Sequence, residues 1–178
     1  MRRIALASMF AAVYAVLVVG LAPVSFLPFQ VRFADALIPL SIAYGWPAII
    51  GLTIGCTVSN FIAGQAFFGG WTVIDVVGGS LANFLACFIG WKICLKHAKK
   101  IIFPTTILQS IIVSMIVGSY LWYIFGAPQY YNLYSLTLPG LPAFILSIFI
   151  GSFISIVILG NILLTAIIRT GFPTQKKI

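Results

Sequence analysis

The sequence has very few charged residues, and acidic residues are the rarest of them. Only 7% of the 178 residues are charged and only two are acidic, whereas 62% are hydrophobic. An ordinary soluble domain is about 25% charged, and a soluble chain of this composition would expose more apolar surface than a monomer tolerates. The composition therefore excludes a water-soluble globular protein and predicts an all-α integral membrane protein.

The residue types that enzymes and metal sites need are also scarce. The one histidine, His97, lies in a lysine-rich segment far along the chain from both acids, so a His-based catalytic constellation is absent. Cys56, Cys87 and Cys94 lie in apolar runs without a CxxC spacing, which favours helix-packing side chains over a disulfide or a zinc site. We therefore expect no enzymatic activity, no cofactor and no metal.

Six apolar runs follow one another along the chain, at about 4–20, 33–45, 48–64, 72–95, 104–125 and 143–168. Because a membrane-spanning helix needs roughly 20 residues, we expect residues 1–178 to form a single six-helix transmembrane domain without a separate soluble domain. The second run, about 13 residues or about 20 Å of helix, is short for a full span.

Positive charges indicate the orientation of this bundle in the membrane. Apart from Arg32, all Lys and Arg residues fall in three clusters, and cytoplasmic ends of membrane helices are typically rich in such residues. An even number of spans with both termini in the cytoplasm places every cluster inside. We therefore predict a multi-pass protein of the cell membrane with cytoplasmic termini. The clusters are Arg2 and Arg3; Lys92, Lys96, Lys99 and Lys100; and Arg169, Lys176 and Lys177.

Four polar residues are predicted to meet near the outer ends of the helices. Asp35 and Asp75 begin the second and fourth runs, Arg32 precedes Asp35 by one turn, and Asn60 ends the third run. An ionisable side chain costs roughly 2.5–3.5 kcal/mol at a helix centre on insertion scales and usually faces a cavity or a partner. The pattern favours a binding site. The alternative is an Arg32–Asp35 pair that satisfies itself near the headgroups, with Asp75 stabilising a helix N-terminus.

Two faces of the third run differ in character. Polar residues spaced by four and three share one face, which can line a site, and small residues occupy roughly the opposite face, which permits close helix approach. The polar set is Thr53, Thr57 and Asn60, and the small set is Gly51, Gly55 and Ser59. On the fourth run Asn83 follows Asp75 and Gly79 on one side, about 12 Å deeper than Asp75.

A stripe of small residues runs along the first helix, where Ala7, Ala11 and Ala15 recur every four residues. Such a stripe indicates close packing with another helix. That helix belongs either to this chain or to a partner membrane protein, and the sequence leaves both alternatives open.

Three sequence blocks resemble a known family. FQVRFADAL at Phe29–Leu37 resembles the outer-loop motif, QFR followed by an acid and AL, of the QueT family, the substrate-binding S components of energy-coupling factor (ECF) transporters. PAIIGLTIGCTVSN at Pro47–Asn60 and DVVGGSLANFLA at Asp75–Ala86 resemble the next two blocks in the same order. The chain departs from the family in having Asp35 where members commonly carry Glu, and Val31 between Gln30 and Arg32.

The resemblance implies a substrate and a set of contacts. The substrate would be a queuosine precursor, meaning queuine or a related 7-deazaguanine base such as 7-aminomethyl-7-deazaguanine. A carboxylate can accept the adjacent N–H donors of a guanine edge, and a second can pair with an aminomethyl cation. The implied contacts are Asp35 and Asp75 in those two roles, in either order; Asn60 and Asn83 on other base atoms; Arg32 or Gln30 on the keto oxygen; and Trp71 stacked on the ring.

The resemblance also implies partners. The chain contains no GxxxxGK[ST] motif with which to hold ATP. S components of this kind bind substrate outside, associate with a transmembrane coupling protein that carries two cytoplasmic ATPases, and are thought to topple in the membrane to release substrate inward. The stripe at Ala7, Ala11 and Ala15 resembles the coupling-protein contact of the family.

The sequence leaves three alternative functions. A membrane enzyme fits the composition less well, and two other kinds of transport protein fit it equally well. An integral membrane enzyme would need a nucleophile, base or metal set that the sequence lacks. An S component for a different vitamin, or a small-molecule transporter that works alone, would share the same architecture and differ in ligand or partner.

Overall fold

The structure is a computed structural model that describes residues 1–26, 31–96, 101–126, 130–133 and 136–170. One predicted site residue, Gln30, lies outside the described residues. So do His97 and four lysines of the basic clusters, Lys99, Lys100, Lys176 and Lys177.

Helices make up nearly all of the described chain. The α-helices are α1 (Arg2–Gly20), α2 (Ala22–Ser25), α3 (Leu40–Tyr44), α4 (Trp46–Phe68), α5 (Thr72–Lys96), α6 (Ile102–Ile124), α7 (Gly140–Ser152) and α8 (Gly160–Arg169). Two 3-10 helices, Phe33–Leu37 and Gly69–Trp71, precede α3 and α5, and a π-helical segment, Phe153–Leu159, joins α7 to α8. The predicted helical character is confirmed.

Among the described residues, four helical stretches are long and apolar enough to cross a membrane: Arg2–Gly20, Trp46–Leu95, Ile102–Ile124 and Gly140–Arg169. The second contains 50 residues and turns back at Gly69, whose φ of 52° suits a residue without a side chain. Its two halves, α4 and α5, contain 23 and 25 residues, so each is long enough to cross a bilayer at 1.5 Å per residue.

The second apolar run does not form one helix. It is divided into the 3-10 helix Phe33–Leu37 and the five-residue α3. Helix α3 ends at Gly45, which adopts a φ of 60°, and Pro47 lies in the first turn of α4. Every residue of α3 is buried. This run therefore enters the bundle without being long enough to cross a membrane as a single helix.

Small residues bring α1 against α4. A Cβ at Gly55 would lie 2.8 Å from the backbone oxygen of Ala11 and 2.9 Å from Cβ of Tyr14, and a Cβ at Gly51 would overlap the backbone oxygen of Ala7. Gly51 faces Ala7 and Gly55 faces Ala11, so the residue numbers increase in the same direction along both helices. Helices α1 and α4 therefore run parallel. The predicted small-residue face of α4 is confirmed as a helix-packing face.

The opposite face of α4 meets α5, which runs antiparallel to it. Thr57 and Ser80 share a 2.7 Å hydrogen bond between their hydroxyls, and the Asn60 amide donates to the backbone oxygen of Asp75 at 3.1 Å. The polar face predicted on α4 is therefore occupied in part by contacts with α5.

The remaining long helices also pack antiparallel to their neighbours in the chain. The Gln109 amide of α6 donates to the backbone oxygen of Ala86 in α5 at 3.1 Å. Asn161 of α8 donates to the Thr106 hydroxyl of α6 at 2.8 Å. These directions place the described members of the three basic clusters at one end of the bundle.

Two features were not predicted from the sequence. Between the fifth and sixth apolar runs, β1 (Tyr130–Leu133) and β2 (Leu136–Pro139) form an antiparallel hairpin. The last helix contains the π segment Phe153–Leu159. As predicted, Cys56, Cys87 and Cys94 are buried among packed helices, and they form no disulfide.

Candidate functional site: a buried polar cluster

Asp35 is buried inside the bundle and bonded to the first helix. Its side chain is 3% exposed, and its Oδ1 accepts a 2.6 Å hydrogen bond from the hydroxyl of Tyr14. The 3-10 helix at Phe33–Leu37 positions the acid, because its first turn bonds the backbone N–H of Asp35 to the oxygen of Arg32 at 3.0 Å. A carboxylate held in this way is fixed in direction by a charge-assisted hydrogen bond.

The guanidinium of Arg32 interacts electrostatically with both acids, Asp35 and Asp75. The Arg32 side chain is 6% exposed. One Nη is 4.0 Å from the sulfur of Cys56, and the guanidinium lies 5.4 Å from the ring centroid of Phe26. Its Nε has no hydrogen-bond partner, so the described contacts differ from a self-satisfied Arg32–Asp35 pair.

Asp75 is fully buried in the first turn of α5. Its Oδ1 accepts a 2.8 Å hydrogen bond from the hydroxyl of Tyr120 in α6, and its backbone oxygen accepts from Asn60. Helices α4 and α6 therefore both position this acid. Asn60 of α4 marks the level of Asp75, and Cys56 lies one helical turn before Asn60. Because the guanidinium of Arg32 contacts Cys56, it lies about one helical turn deeper than Asp75.

Several buried polar atoms in this cluster have no hydrogen-bond partner. They are Nε of Arg32, Oδ1 of Asn60 and Oδ2 of Asp75, and Nδ2 of the buried Asn83 also lacks a partner. Leaving a buried donor or acceptor unsatisfied costs about 1–3 kcal/mol, and such atoms are exceptional in folded proteins. A ligand that offers matching donors and acceptors would remove this cost.

The cavity beside Arg32 and Asp35 is small. It has a volume of about 10 Å³, close to the least that one water molecule needs, about 10–15 Å³. Its other walls are Val113 and Val117 of α6 and Ile148 and Ser152 of α7. The charged residues thus lie on one side of the cavity and mainly apolar residues of α6 and α7 on the other.

Trp71 lies at the rim of the bundle. Its side chain is 45% exposed, and its ring packs edge-on against Tyr123 with centroids 5.6 Å apart. The buried cluster therefore contains Arg32, Asp35, Asn60 and Asp75 of the predicted site residues. Asn83 is buried about two helical turns further along α5 from Asp75, and Trp71 lies outside the cluster.

The alanine stripe of α1 takes part in packing inside this chain. Ala7 and Ala11 contact Gly51 and Gly55 through their backbones. They also line an open groove of about 370 Å³ between α1 and the start of α4, whose other walls include Trp46, Ile50 and Ile54. Ala15 is half-buried one turn further along α1.

Tyr14 and Tyr120, which bond the two acids, were not predicted as site residues. Each lies in a long, mainly apolar helix, where a buried phenol must find a partner inside the protein. The presence of a phenol in such a helix was the available signal. It could not identify the partner, because the partner depends on which helices become neighbours.

A family model described as QueT transporter matches residues 4–169. No curated protein and no solved structure matches the chain. The matched region contains the whole buried polar cluster and all three sequence blocks that carried the resemblance. Because the match covers nearly the whole length, the chain belongs to the QueT transporter family.

Proposed function

We propose that this chain is the substrate-binding S component of an ECF transporter and that its buried polar cluster binds a queuosine precursor, a 7-deazaguanine base. In this proposal the chain has no enzymatic activity of its own. It captures the base at the outer side of the cell membrane, and separate subunits supply the energy for import.

The unpartnered atoms of the cluster carry the proposal. A 7-deazaguanine base has neighbouring N–H donors along one edge, which suit a carboxylate oxygen such as Oδ2 of Asp75. Its keto oxygen suits a donor such as Nε of Arg32, and Asn60 and Asn83 offer one further acceptor and one further donor. The ligand thus supplies partners of the kind that these side chains lack.

The charges of the cluster also support the proposal. Two carboxylates interact with a single guanidinium, so the cluster carries a net negative charge when all three groups are ionised. Burying uncompensated charge is costly in a membrane protein. An aminomethyl cation on the base would compensate this charge, whereas a neutral base or an anionic vitamin would not.

The small cavity implies that binding requires movement. A volume of about 10 Å³ cannot hold a bicyclic base, so the walls of the cavity must separate when the ligand enters. The wall that faces Arg32 and Asp35 is mainly apolar, since Val113, Val117 and Ile148 form most of it. We therefore propose that α6 and α7 move away from the 3-10 helix at Phe33–Leu37 when the base binds.

The proposed arrangement in the membrane has six spans and cytoplasmic termini. The segment between α1 and α4, which includes Phe33–Tyr44, counts as the second span in this arrangement, because α1 and α4 run parallel and the chain must return to the cytoplasmic side between them. A transmembrane coupling protein with two ATPase subunits would contact the groove beside Ala7 and Ala11, where small side chains permit close helix approach.

Direct binding to the purified protein tests the substrate. The expected result is saturable binding of queuine or 7-aminomethyl-7-deazaguanine, with no comparable binding of guanine, biotin or riboflavin. Tighter binding of biotin or riboflavin would show an S component for another vitamin. Absence of binding by every compound would contradict the proposed role.

Uptake measurements distinguish the coupled transporter from one that works alone. Cells or proteoliposomes containing this chain without ATPase subunits should not accumulate the base, and addition of a coupling protein with its ATPases should permit accumulation. Accumulation by the chain alone would favour the stand-alone transporter.

A further inference from the structure

Two adjacent glycines in α5 make room for the groups that surround Asp75. A Cβ at Gly78 would lie 2.7 Å from two ring atoms of Tyr120, and a Cβ at Gly79 would lie 2.5 Å from the amide nitrogen of Asn60. These distances are too short for real contacts, so neither neighbour could keep its position beside a larger residue. The glycine pair therefore fixes where Tyr120 and Asn60 lie.

Both of these neighbours hold Asp75, but at different atoms. Tyr120 donates to Oδ1 of the carboxylate at 2.8 Å, and Asn60 donates to the backbone oxygen at 3.1 Å. The other carboxylate oxygen, Oδ2, has no partner. The space next to it is bordered by Gly64, where a Cβ would lie 3.6 Å from Oδ2. One oxygen of Asp75 is thus anchored and the other is left for a ligand.

From this geometry we propose that Tyr120 is the positioning residue for Asp75, with Gly78 providing the space that its ring requires. The phenol fixes the rotation of the carboxylate, so that Oδ2 is presented to the ligand in one direction. This inference rests on the proposed function, because it assumes that Asp75 contacts the ligand. Tyr120 itself acts through Asp75.

Infrared spectroscopy of the full-length protein can observe the carboxylate directly. The chain has only two acidic side chains, so the side-chain carboxylate bands come from Asp35 and Asp75 alone, and the band missing in Asp75→Asn identifies Asp75. In Tyr120→Phe the Asp75 band should shift, because the carboxylate loses its phenol partner. If Tyr120 only filled space and did not bond the carboxylate, this band would stay where it is.

Affinity for 7-aminomethyl-7-deazaguanine is the second measurement. Loss of a hydrogen bond to a charged group predicts about tenfold weaker binding for Tyr120→Phe, together with a lower melting temperature, because Oδ1 of the buried Asp75 loses its donor. Gly78→Ala should weaken binding in the same direction, because its methyl group displaces the Tyr120 ring. The matched control is Tyr44→Phe, which removes the same atom from a buried tyrosine at the other end of the bundle and should change neither quantity.

The outcomes separate the inference from the proposed function. Weaker binding together with a shifted Asp75 band supports the positioning role. Wild-type affinity in both Tyr120→Phe and Gly78→Ala overturns it, as does an affinity loss without a band shift. If Tyr120→Phe does not fold, Gly78→Ala decides by the same two measurements. Failure of the wild-type protein to bind the probe at all instead contradicts the proposed function, and the positioning role then fails with it.

Discussion

The hydroxyl of Tyr14 in α1 lies 2.6 Å from Oδ1 of Asp35 in the following 3-10 helix. This bond joins the helix that carries the alanine stripe to the segment that carries one of the two acids. Three residues before Tyr14, the backbone of Ala11 lies against Gly55 of α4. A single helix therefore contacts the buried polar cluster with one residue and borders the open groove with another.

Tyr14→Phe should destabilise the protein. The substitution leaves Oδ1 of Asp35 without its donor, and an unsatisfied buried acceptor costs about 1–3 kcal/mol. Thermal unfolding in detergent should show a lower melting temperature than that of the wild type. Tyr44→Phe, which removes a hydroxyl that bonds neither acid, is the control. Equal melting temperatures for Tyr14→Phe and the wild type would show that the bond contributes nothing to stability.

Gly51→Ala should separate α1 from α4. The added methyl group would overlap the backbone oxygen of Ala7, and overpacking of this kind costs about 1–3 kcal/mol. Gly20→Ala is a matched control in α1, because no atom lies within 4 Å of the Cβ that it adds. We expect a lower melting temperature for Gly51→Ala alone. A similar change in both variants would contradict the close α1–α4 contact.

Ala11→Trp should preserve ligand binding and abolish uptake. The indole would fill the groove between α1 and α4, where we propose that the coupling protein docks, without reaching the buried acids. Binding is measured with the purified protein, and uptake with cells that contain the complete transporter. Val16→Trp places the same side chain at an exposed position of α1 outside the groove and should transport normally. Normal uptake by Ala11→Trp would count against docking at this groove.

Both termini should be inaccessible from outside the cell. An epitope tag at either end is expected to survive protease added to intact cells, because positive clusters are retained in the cytoplasm. A tag inserted after Gly126, which lies at the opposite end of the bundle from Arg2 according to the helix directions, should be cleaved. Cleavage of a terminal tag under the same conditions would reverse the proposed orientation.

Hydropathy and residue spacing predicted much of this fold. The long helices lie near their predicted positions, because a membrane span requires a long apolar run and each run ends at a glycine, a proline or a charge. The two faces of α4 followed from the four-residue spacing of Gly51 and Gly55 opposite Thr53 and Thr57. Local sequence is sufficient for such features, because they depend on helical periodicity alone.

Other features depend on tertiary contacts that local sequence does not specify. The run from Phe33 to Tyr44 is split because Arg32 and Asp35 are drawn into the bundle, where Tyr14 and Cys56 are available as partners. Trp71 lies only three residues after Phe68, yet Phe68 is buried, whereas Trp71 packs against Tyr123 at the surface. The direction of each side chain was decided by the neighbouring helices rather than by its own helix.

The depth of the cluster also differs in part from the prediction. Arg32 was expected at the level of Asp75, and it lies about one turn deeper, next to Cys56. The sequence placed both acids at helix starts, but it contained no information on how deep in the bundle the 3-10 helix Phe33–Leu37 lies. The convergence of the charged side chains was predictable, whereas their relative heights were not.

The most direct test of the account is the affinity of the purified protein for 7-aminomethyl-7-deazaguanine, compared between the wild type and Asp75→Asn. The substitution keeps the size of the side chain and removes the negative charge, so the variant should be produced and folded normally. We predict saturable binding by the wild type and at least about tenfold weaker binding by the variant. Equal affinity in the two proteins would remove Asp75 from the site and contradict the central claim.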